Sequence, residues 1–359
     1  MSDFDKYIRQ GEPSRKVKAQ IWQTAIGLQD VDGLKPSNYL LDTARKNIEN
    51  KITITEVQQR IDNYYKQQSN RNEIETERTE EADKVSARIT EILSNNTFSF
   101  SPLAYIEIHR RLFTGIYKFA GKVRDYNITK NEWVLKGHTV LFSDFNLIRQ
   151  TLDYDFAQEK QFDYKTIDYF QSVQHIAKFI SGIWQIHAFG EGNTRTTAVF
   201  AIKYLRSFGF EIDNKLFAEH SWYFRNALVR ANFNDLKNKI YLTTDYLMRF
   251  WGNLLLNENN ILKNRELLVD SENEPNFQSA KNKENEPSMC KYCILNCTLD
   301  ERFVLEFLKG NPKATQKEIA IHLKKSERTV KTITINLQQK NLLERHNGTR
   351  HGFWFVKEV

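Results

Sequence analysis

The sequence predicts a mainly helical protein with a small, basic C-terminal domain. Glycine and proline are scarce, with 14 and 6 residues in a chain of 359, and this favours helices over a turn-rich β architecture. Apolar residues recur at helical spacing through most of residues 81–263. Residues 309–359 carry eight lysines and three arginines against four glutamates, which equals the net charge of +7 of the whole chain. A basic domain on a neutral body predicts a nucleic-acid partner for that domain.

The length is sufficient for two folded domains with additional segments. We predict an N-terminal helical segment over residues 1–80, a main helical domain over 81–263, a linker over 264–289 and a C-terminal domain over 290–359. The linker is predicted from its polar, proline-containing composition. The N-terminus lacks the apolar run of a secretion signal, and no stretch is long and apolar enough to span a membrane. We therefore expect a cytoplasmic protein without a membrane partner.

Three short helices are predicted before residue 66, in QIWQTAIGLQ, PSNYLLDTARKNI and ITEVQQRIDNYY. Thr55 is the predicted N-cap of the third helix, with Gln58 completing a capping box. One later segment breaks the helical pattern. Two β-prone runs flank Lys136 and Gly137 and predict a β-hairpin over residues 131–142. A lone hairpin has little core of its own, so it either covers a site or is a plain surface ribbon.

The stretch IHAFGEGNTRTTAVF carries the chemistry of the chain. One helix is predicted to end near His187 and a second to begin near Thr194 or Arg195, with Gly190 and Gly192 in the loop between them. Small residues allow backbone N–H groups to turn inward, and the positive end of the new helix then completes an anion site. Asn193 is a preferred capping residue for that turn.

Within nine residues this loop supplies a base, a carboxylate and a fixed cation, namely His187, Glu191 and Arg195. Nucleotidyl or phosphoryl transfer needs such a set: a base for the attacking hydroxyl, a metal ligand, and positive charge for the leaving phosphates. Phe189 is expected to anchor the loop in the core.

At these residues the sequence resembles the Fic family, whose motif is HxFx[D/E]GNxRxxR. The resemblance extends over about residues 81–255. It includes IHRRLFTGIYKFAGKVRDYNITK, which is similar to the family's upstream helix and aromatic-Ala-Gly-x-x-Arg turn, and ALVRAN, which ends in Asn232. The resemblance implies a Fic-type helical bundle with a β-hairpin flap.

The resemblance implies a protein adenylyltransferase. His187 would deprotonate a target Ser, Thr or Tyr hydroxyl, which attacks the α-phosphate of ATP, and Glu191 would hold Mg²⁺. A strand at the flap would align the target protein by main-chain pairing. The implied nucleotide-binding residues are Gly190, Glu191, Gly192, Asn193, Thr194, Arg195 and Asn232, and the implied flap residues are Val140, Leu141 and Phe142.

Two positions depart from the family pattern. The second motif arginine is replaced by Ala198, so the family's clamp for the γ-phosphate is missing, and a glycine common in the family is replaced by Thr194. A different nucleotide donor is therefore an alternative. The family's inhibitory helix, [S/T]xxxE[G/N], is similar to the segment ending in Glu49 and Asn50, but Arg45 stands at its Ser/Thr position. Glu49 is accordingly either an inhibitory residue, with Arg195 as its partner, or an ordinary helical glutamate.

The basic tail resembles a winged helix-turn-helix domain, with helices over 315–323 and 326–340 and a wing over 344–356. The side chains predicted to contact DNA are Arg328, Thr329 and Lys331 in the major groove and Arg345 and Arg350 on phosphates. A use in protein contacts or in a homodimer is the alternative.

Three cysteines, Cys290, Cys293 and Cys297, have the spacing of metal ligands, but three thiolates leave tetrahedral Zn²⁺ one ligand short. A zinc site, an iron–sulfur cluster and three reduced cysteines remain the alternatives. For the whole chain, the alternative to a bacterial transferase is a DNA-binding regulator whose Fic-like body senses a nucleotide.

Overall fold

The computed structural model describes residues 13–67, 73–210, 215–256, 258–269, 299–323, 326–340, 342–346 and 352–357. Within these residues the protein is mainly helical, as predicted, and its single sheet has two strands. The chain divides into two compact units. The first comprises residues 1–160, 176–204 and 212–274, and the second comprises 161–175, 205–211 and 275–359. None of the described helices has the length and apolar character needed to cross a membrane.

Three helices form near the N-terminus where the sequence predicts them: α1 (Pro13–Gly27), α2 (Asn38–Ile48) and α3 (Ile54–Lys66). The prediction of Thr55 as the cap of α3 is wrong by two residues. Thr53 is the N-cap, because it is extended and accepts the Glu56 N–H at 3.2 Å, while the Glu56 carboxylate accepts the Thr53 N–H at 2.6 Å. This reciprocal pair satisfies two N–H groups that a helix start leaves unpaired.

The chain continues with α4 (Glu73–Ser94), α5 (Pro102–Phe113), α6 (Ile148–Gln161), α7 (Tyr169–Ile186), α8 (Asn193–Ser207), α9 (Lys215–Ala231) and α10 (Asp245–Leu255). The segment from Ala198 to Ile202 in α8 is completely buried. Five consecutive residues cover every side of a helix, so this part of α8 lies in the interior. The N-terminal end of α8, with the loop before it, is therefore held by the core of the unit.

The predicted β-hairpin over residues 131–142 does not form. The segment contains a 3-10 turn at Trp133–Leu135, and the chain reverses through Lys136 and Gly137, both with positive φ. The Glu132 N–H donates to the His138 carbonyl at 3.0 Å, but no strand follows on either side. Val140 and Phe142 are buried and alternate with Leu141, which is 84% exposed. The apolar side chains of the second arm therefore pack on the helical body.

The first six residues of the predicted linker belong to the packed body. Asn264–Leu267 forms a 3-10 turn, Leu267 and Val269 are buried, and the Val269 N–H donates to the Val134 carbonyl at 2.8 Å. This burial explains the error, because the polar composition of the segment hides two apolar anchors. Residues 270–289 of the predicted linker lie outside the described residues.

The C-terminal part of the second unit contains α11 (Leu299–Gly310), α12 (Gln316–His322) and α13 (Glu327–Gln339), followed by β1 (Leu343–His346) and β2 (Phe353–Val356). The strands are antiparallel, with Leu343 opposite Val356. Thr315 caps α12 with a capping box, and Ser326 caps α13. One apolar core joins these elements; it includes Val304, Leu308, Ile319, Val330, Leu337, Leu343 and Trp354.

Candidate active site

The loop between α7 and α8 is locked by its own side chains. The Asn193 amide accepts the Phe189 N–H at 3.0 Å and donates to the Phe189 carbonyl at 2.7 Å. Gly192 has φ of 77°, and a Cβ at that position would lie 2.4 Å from the Phe113 ring. Only glycine satisfies both the left-handed backbone and this close approach. The loop that the sequence identified as an anion site is thus rigid and closely packed.

His187 occupies a strained position at the start of this loop. Its φ of 51° lies in the left-handed region, which costs a non-glycine residue of order 1–3 kcal/mol and is concentrated at functional sites. Its N–H donates to the Trp184 carbonyl at 3.0 Å. Arg124 Nε donates to the His187 carbonyl at 2.8 Å, so the peptide is held from both sides.

Arg124 connects the motif loop to the chain around Tyr126 and Ser143 through hydrogen bonds. Its guanidinium donates to the carbonyls of His187, Tyr126 and Ser143, and its own N–H donates to the Ala188 carbonyl. Arg124 is 5% exposed. A planar, five-donor group is suited to joining several carbonyls at once. Arg124 therefore fixes the chain after residue 124 against the backbone that carries His187.

The environment of His187 favours its neutral form. Burial lowers its pKa well below the usual value, and the positive charges of Lys130, Arg124 and Arg225 lower it further. The Phe142 ring lies 4.1 Å from the imidazole, centroid to centroid. Nδ1 of His187 is buried without a hydrogen-bond partner. A neutral imidazole is suited to accept a proton, and because Nδ1 is buried this role falls to Nε2.

Glu191 and Lys130 form an ion pair at the mouth of the site. Lys130 Nζ lies 2.7 Å from Glu191 Oε2, and the Glu191 side chain is 54% exposed. A single accessible carboxylate beside a phosphate site fits Mg²⁺, which usually takes one or two carboxylates together with phosphate oxygens and water. Within the described residues there is no cluster of three or more metal-binding side chains.

Arg195 is fully buried, and acidic and polar side chains surround its guanidinium. Its Nε lies 2.8 Å from Asp32 Oδ2, and its Nη2 lies 2.5 Å from Glu81 Oε1. The Gln29 amide oxygen accepts from Nη1 at 3.0 Å. Burial opposes the charge of Arg195, but Asp32, Tyr117 and Glu81 outweigh that effect and raise its pKa.

His109 connects the loop to the preceding turn. The Gly121 N–H donates to His109 Nδ1 at 2.9 Å, so Nε2 carries the proton and donates to the Glu191 carbonyl at 3.0 Å. The ring is stacked on Phe189 at 3.7 Å. Burial lowers the pKa of His109 from 6.5 to about 4, which keeps this tautomer neutral.

A pocket of about 710 Å³ opens beside the loop. Its charged lining consists of four carboxylates and three guanidinium groups, from Asp30, Asp32, Glu81, Glu191, Arg78, Arg195 and Arg225. The volume lies in the usual range for a small-molecule site. The acidic residues come mainly from the segment between α1 and α2 and from α4, so the N-terminal region forms one wall.

The remaining predicted residues lie in several places. Gly190 lies in the loop, and Thr194 lies in the first turn of α8, where its Oγ1 accepts from Trp184 Nε1 at 3.0 Å. Asn232 follows α9, and its amide donates to Ser181 Oγ at 2.8 Å. Leu141 is exposed, and its carbonyl accepts from the Gln185 amide at 3.1 Å.

Glu49 follows α2, and its carboxylate lies 2.8 Å from Lys51 Nζ. The ion pairs of Arg195 are instead with Asp32 and Glu81. In the second unit Arg328, Thr329 and Lys331 are exposed, and the Arg345 guanidinium lies 4.7 Å from the Trp354 ring centroid. The three cysteines and Arg350 lie outside the described residues.

Sequence reasoning missed several residues of the site. Arg124 stands in a turn that the family resemblance had already marked, and His109 stands in the helix before it, so both had a signal. No sequence signal marked Asp32 and Glu81. They are isolated acidic residues in polar stretches, and their role is visible only from their distance to Arg195 in the structure.

Comparison with known proteins finds a family match for part of the chain. Residues 99–205 match the Fic/DOC family, so this part of the chain is a Fic/DOC family domain. The match contains His109, Arg124 and the whole loop from His187 to Arg195. Members of the family are typically transferases and commonly transfer nucleotide-derived groups to proteins. A comparison with curated proteins gives no significant match.

We predict that His109 makes folding sensitive to acid. The folded protein keeps His109 neutral down to a pKa of about 4, whereas the unfolded chain binds its proton near 6.5. Stability is therefore lost as the pH falls through this window, on the order of 2 kcal/mol between pH 7 and pH 5. The variant His109→Gln has no imidazole to protonate, so its free energy of unfolding should not show this loss. Denaturant unfolding should therefore find the variant less stable than the wild type at pH 7, by a margin that is smaller by this amount at pH 5. A deficit that is the same at both pH values, or that also shrinks in the exposed-site control His138→Gln, would contradict the assignment.

Proposed function

We propose that this protein transfers AMP from ATP to a Ser, Thr or Tyr hydroxyl of a target protein, with Mg²⁺. The observation that supports this most is His187: a neutral imidazole held at positive φ where a rigid, glycine-containing loop leads into the N-terminus of α8. Loops of this kind bind phosphate through backbone N–H groups and the helix dipole. The family to which residues 99–205 belong supports the same class of reaction.

In the proposed reaction the His187 imidazole accepts the proton of the target hydroxyl. The hydroxyl oxygen forms a bond to the α-phosphorus of ATP, the bond from this phosphorus to the oxygen bridging to the β-phosphate breaks, and pyrophosphate leaves with the electron pair. Glu191 would hold Mg²⁺, which when bound supplies positive charge to the phosphate oxygens. The backbone N–H groups near Gly192 and Asn193 would bind the phosphates. The proton on His187 is returned to water.

The target would lie along the extended segment from Val140 to Phe142. Leu141 is 84% exposed while its two neighbours are buried, and its carbonyl accepts from the Gln185 amide, so a target would pair with the other main-chain groups of this segment. Phe142 also packs on the His187 ring. A peptide paired with this segment would therefore bring its hydroxyl close to the base.

His187→Ala should abolish transfer. Incubation with Mg²⁺ and ATP labelled at the α-phosphate should label protein in the wild type, and the variant should be slower by at least about 100-fold, as expected for loss of a general base. Because the pKa of His187 is lowered, the wild-type rate should hold as the pH falls from 7 to 6. Label from γ-labelled ATP alone would indicate phosphoryl transfer instead, and equal labelling of both proteins would exclude His187 as the base.

We further propose that the N-terminal region restrains the enzyme through Arg195. Asp32 pairs with the Arg195 Nε that a phosphate would otherwise bind. The variant Asp32→Asn should therefore raise the labelling of protein by α-labelled ATP several-fold. Asp30→Asn is the matched control, because Asp30 lines the same pocket without pairing with Arg195. Glu49→Gln tests the residue identified from the sequence. A rise in Glu49→Gln alone would move the restraint to α2, and no rise in any variant would contradict restraint by these carboxylates.

A second proposed function is DNA binding by the C-terminal domain, which we interpret as a winged helix. Arg328 and Lys331 are exposed on the first turns of α13, and the two-stranded sheet follows as a wing would. For the full chain on a random duplex, Arg328→Ala/Lys331→Ala should lower the slope of log affinity against log salt by about two. Lys237→Ala/Lys263→Ala removes equal charge from the first unit and should leave it unchanged. Equal losses in both variants would favour a protein-binding role, and DNA binding that survives His187→Ala without any transfer activity would favour a nucleotide-sensing regulator.

A further inference from the structure

The two cations held at the motif loop, Arg195 and Lys130, are both engaged by carboxylates. Arg195, the guanidinium supplied by the loop, already pairs with Asp32 and Glu81. Lys130 pairs with Glu191. Position 198, one turn after Arg195 in α8, carries a completely buried alanine. A donor with several phosphates needs positive charge from another element of the fold.

Arg225 on α9 is placed to supply that charge. It lines the same pocket as Glu191 and Arg195, and its charge contributes to the lowered pKa of His187. Residues 222 and 225 are three apart in α9, so Trp222 and Arg225 are neighbours on one face of the helix, and both line the pocket. Asn232, one of the implied nucleotide-binding residues, directly follows the end of the same helix.

The guanidinium of Arg225 is oriented but not saturated. It lies over the Trp222 ring at 5.1 Å, and its Nη1 lies 2.7 Å from Glu132 Oε2. The Arg225 side chain is 15% exposed and that of Glu132 is 1% exposed. One ion pair uses only part of a five-donor group. The remaining N–H groups have the planar geometry that suits phosphate oxygens.

We propose that Arg225 binds the phosphate chain of the nucleotide donor and takes the place of the cation absent at position 198. Glu132 lies at the start of the flap segment, residues 131–142. It holds the guanidinium in position and does not contact the donor. The inference rests on the proposed function only in assuming that the pocket binds a nucleotide. The opposing interpretation is that Glu132 and Arg225 form a structural tie between the flap segment and α9.

A comparison of variants separates the two interpretations. Arg225→Gln alone would leave the buried Glu132 carboxylate unpaired, which is strongly destabilising, so the test uses the double variant Glu132→Gln/Arg225→Gln against Glu132→Gln. Arg249→Gln/Glu266→Gln is the matched control, because it removes a surface pair of 2.9 Å that does not line the pocket. Dissociation constants for ATP and for adenosine are measured by calorimetry with Mg²⁺ at fixed ionic strength.

We expect the double variant to bind ATP about ten-fold or more weakly than Glu132→Gln, as expected for a lost charged hydrogen bond. Adenosine binding should be the same in all variants, because it has no phosphate to lose. Equal ATP affinity with and without Arg225, or parallel losses for ATP and adenosine, would overturn the inference and leave the proposed function intact. A wild type that binds neither ligand would overturn both.

Discussion

The arrangement of the site depends on the buried guanidinium of Arg195. A charge that is 1% exposed is tolerated only when it is paired and hydrogen-bonded, and here its partners come from three separate stretches of chain. Gln29 and Asp32 follow α1, Glu81 belongs to α4, and Tyr117 follows α5. The N-terminal region is therefore attached to the motif loop by electrostatics as well as by its apolar core. Removal of either carboxylate, Asp32 or Glu81, would therefore have two effects: it changes the net charge of the pocket, and it weakens the attachment of the N-terminal region to the motif loop.

These partners also set the requirement for binding a polyanion. A phosphate that reaches Arg195 must displace a carboxylate, and both groups accept from a guanidinium with similar geometry. The exchange is easiest at Asp32, whose side chain is 35% exposed, and harder at Glu81, which is 16% exposed and also accepts from the Tyr117 hydroxyl at 2.6 Å. Asp32 is thus the replaceable partner and Glu81 the permanent one. This difference in burial explains why a restraint in this fold would act through the segment after α1.

The sequence predicted the local structure of the motif loop. Glycines and Asn193 are enough to predict a tight turn into a helix start, because every contact involved lies within a few residues, while anion binding by this loop stays a prediction. The hairpin over residues 131–142 was mispredicted for a complementary reason. The segment has the β propensity and the turn of a hairpin, but Val140 and Phe142 are buried against the helical body and not against the opposite arm. Asp32 and Arg225 could not be predicted at all, since their roles arise only when distant stretches of chain meet at the pocket.

The cations around His187 have two effects that depend on the state of the pocket. In the structure described here Lys130, Arg124 and Arg225 act with burial to lower the pKa of the imidazole, so the base is neutral and does not hold a proton before the donor arrives. If the pocket takes a polyphosphate, as proposed, its negative charge offsets those cations and the affinity of His187 for a proton increases. The base would then be strongest when donor and target are both in place, because the groups that attract the phosphates are the same groups that suppress its protonation in their absence.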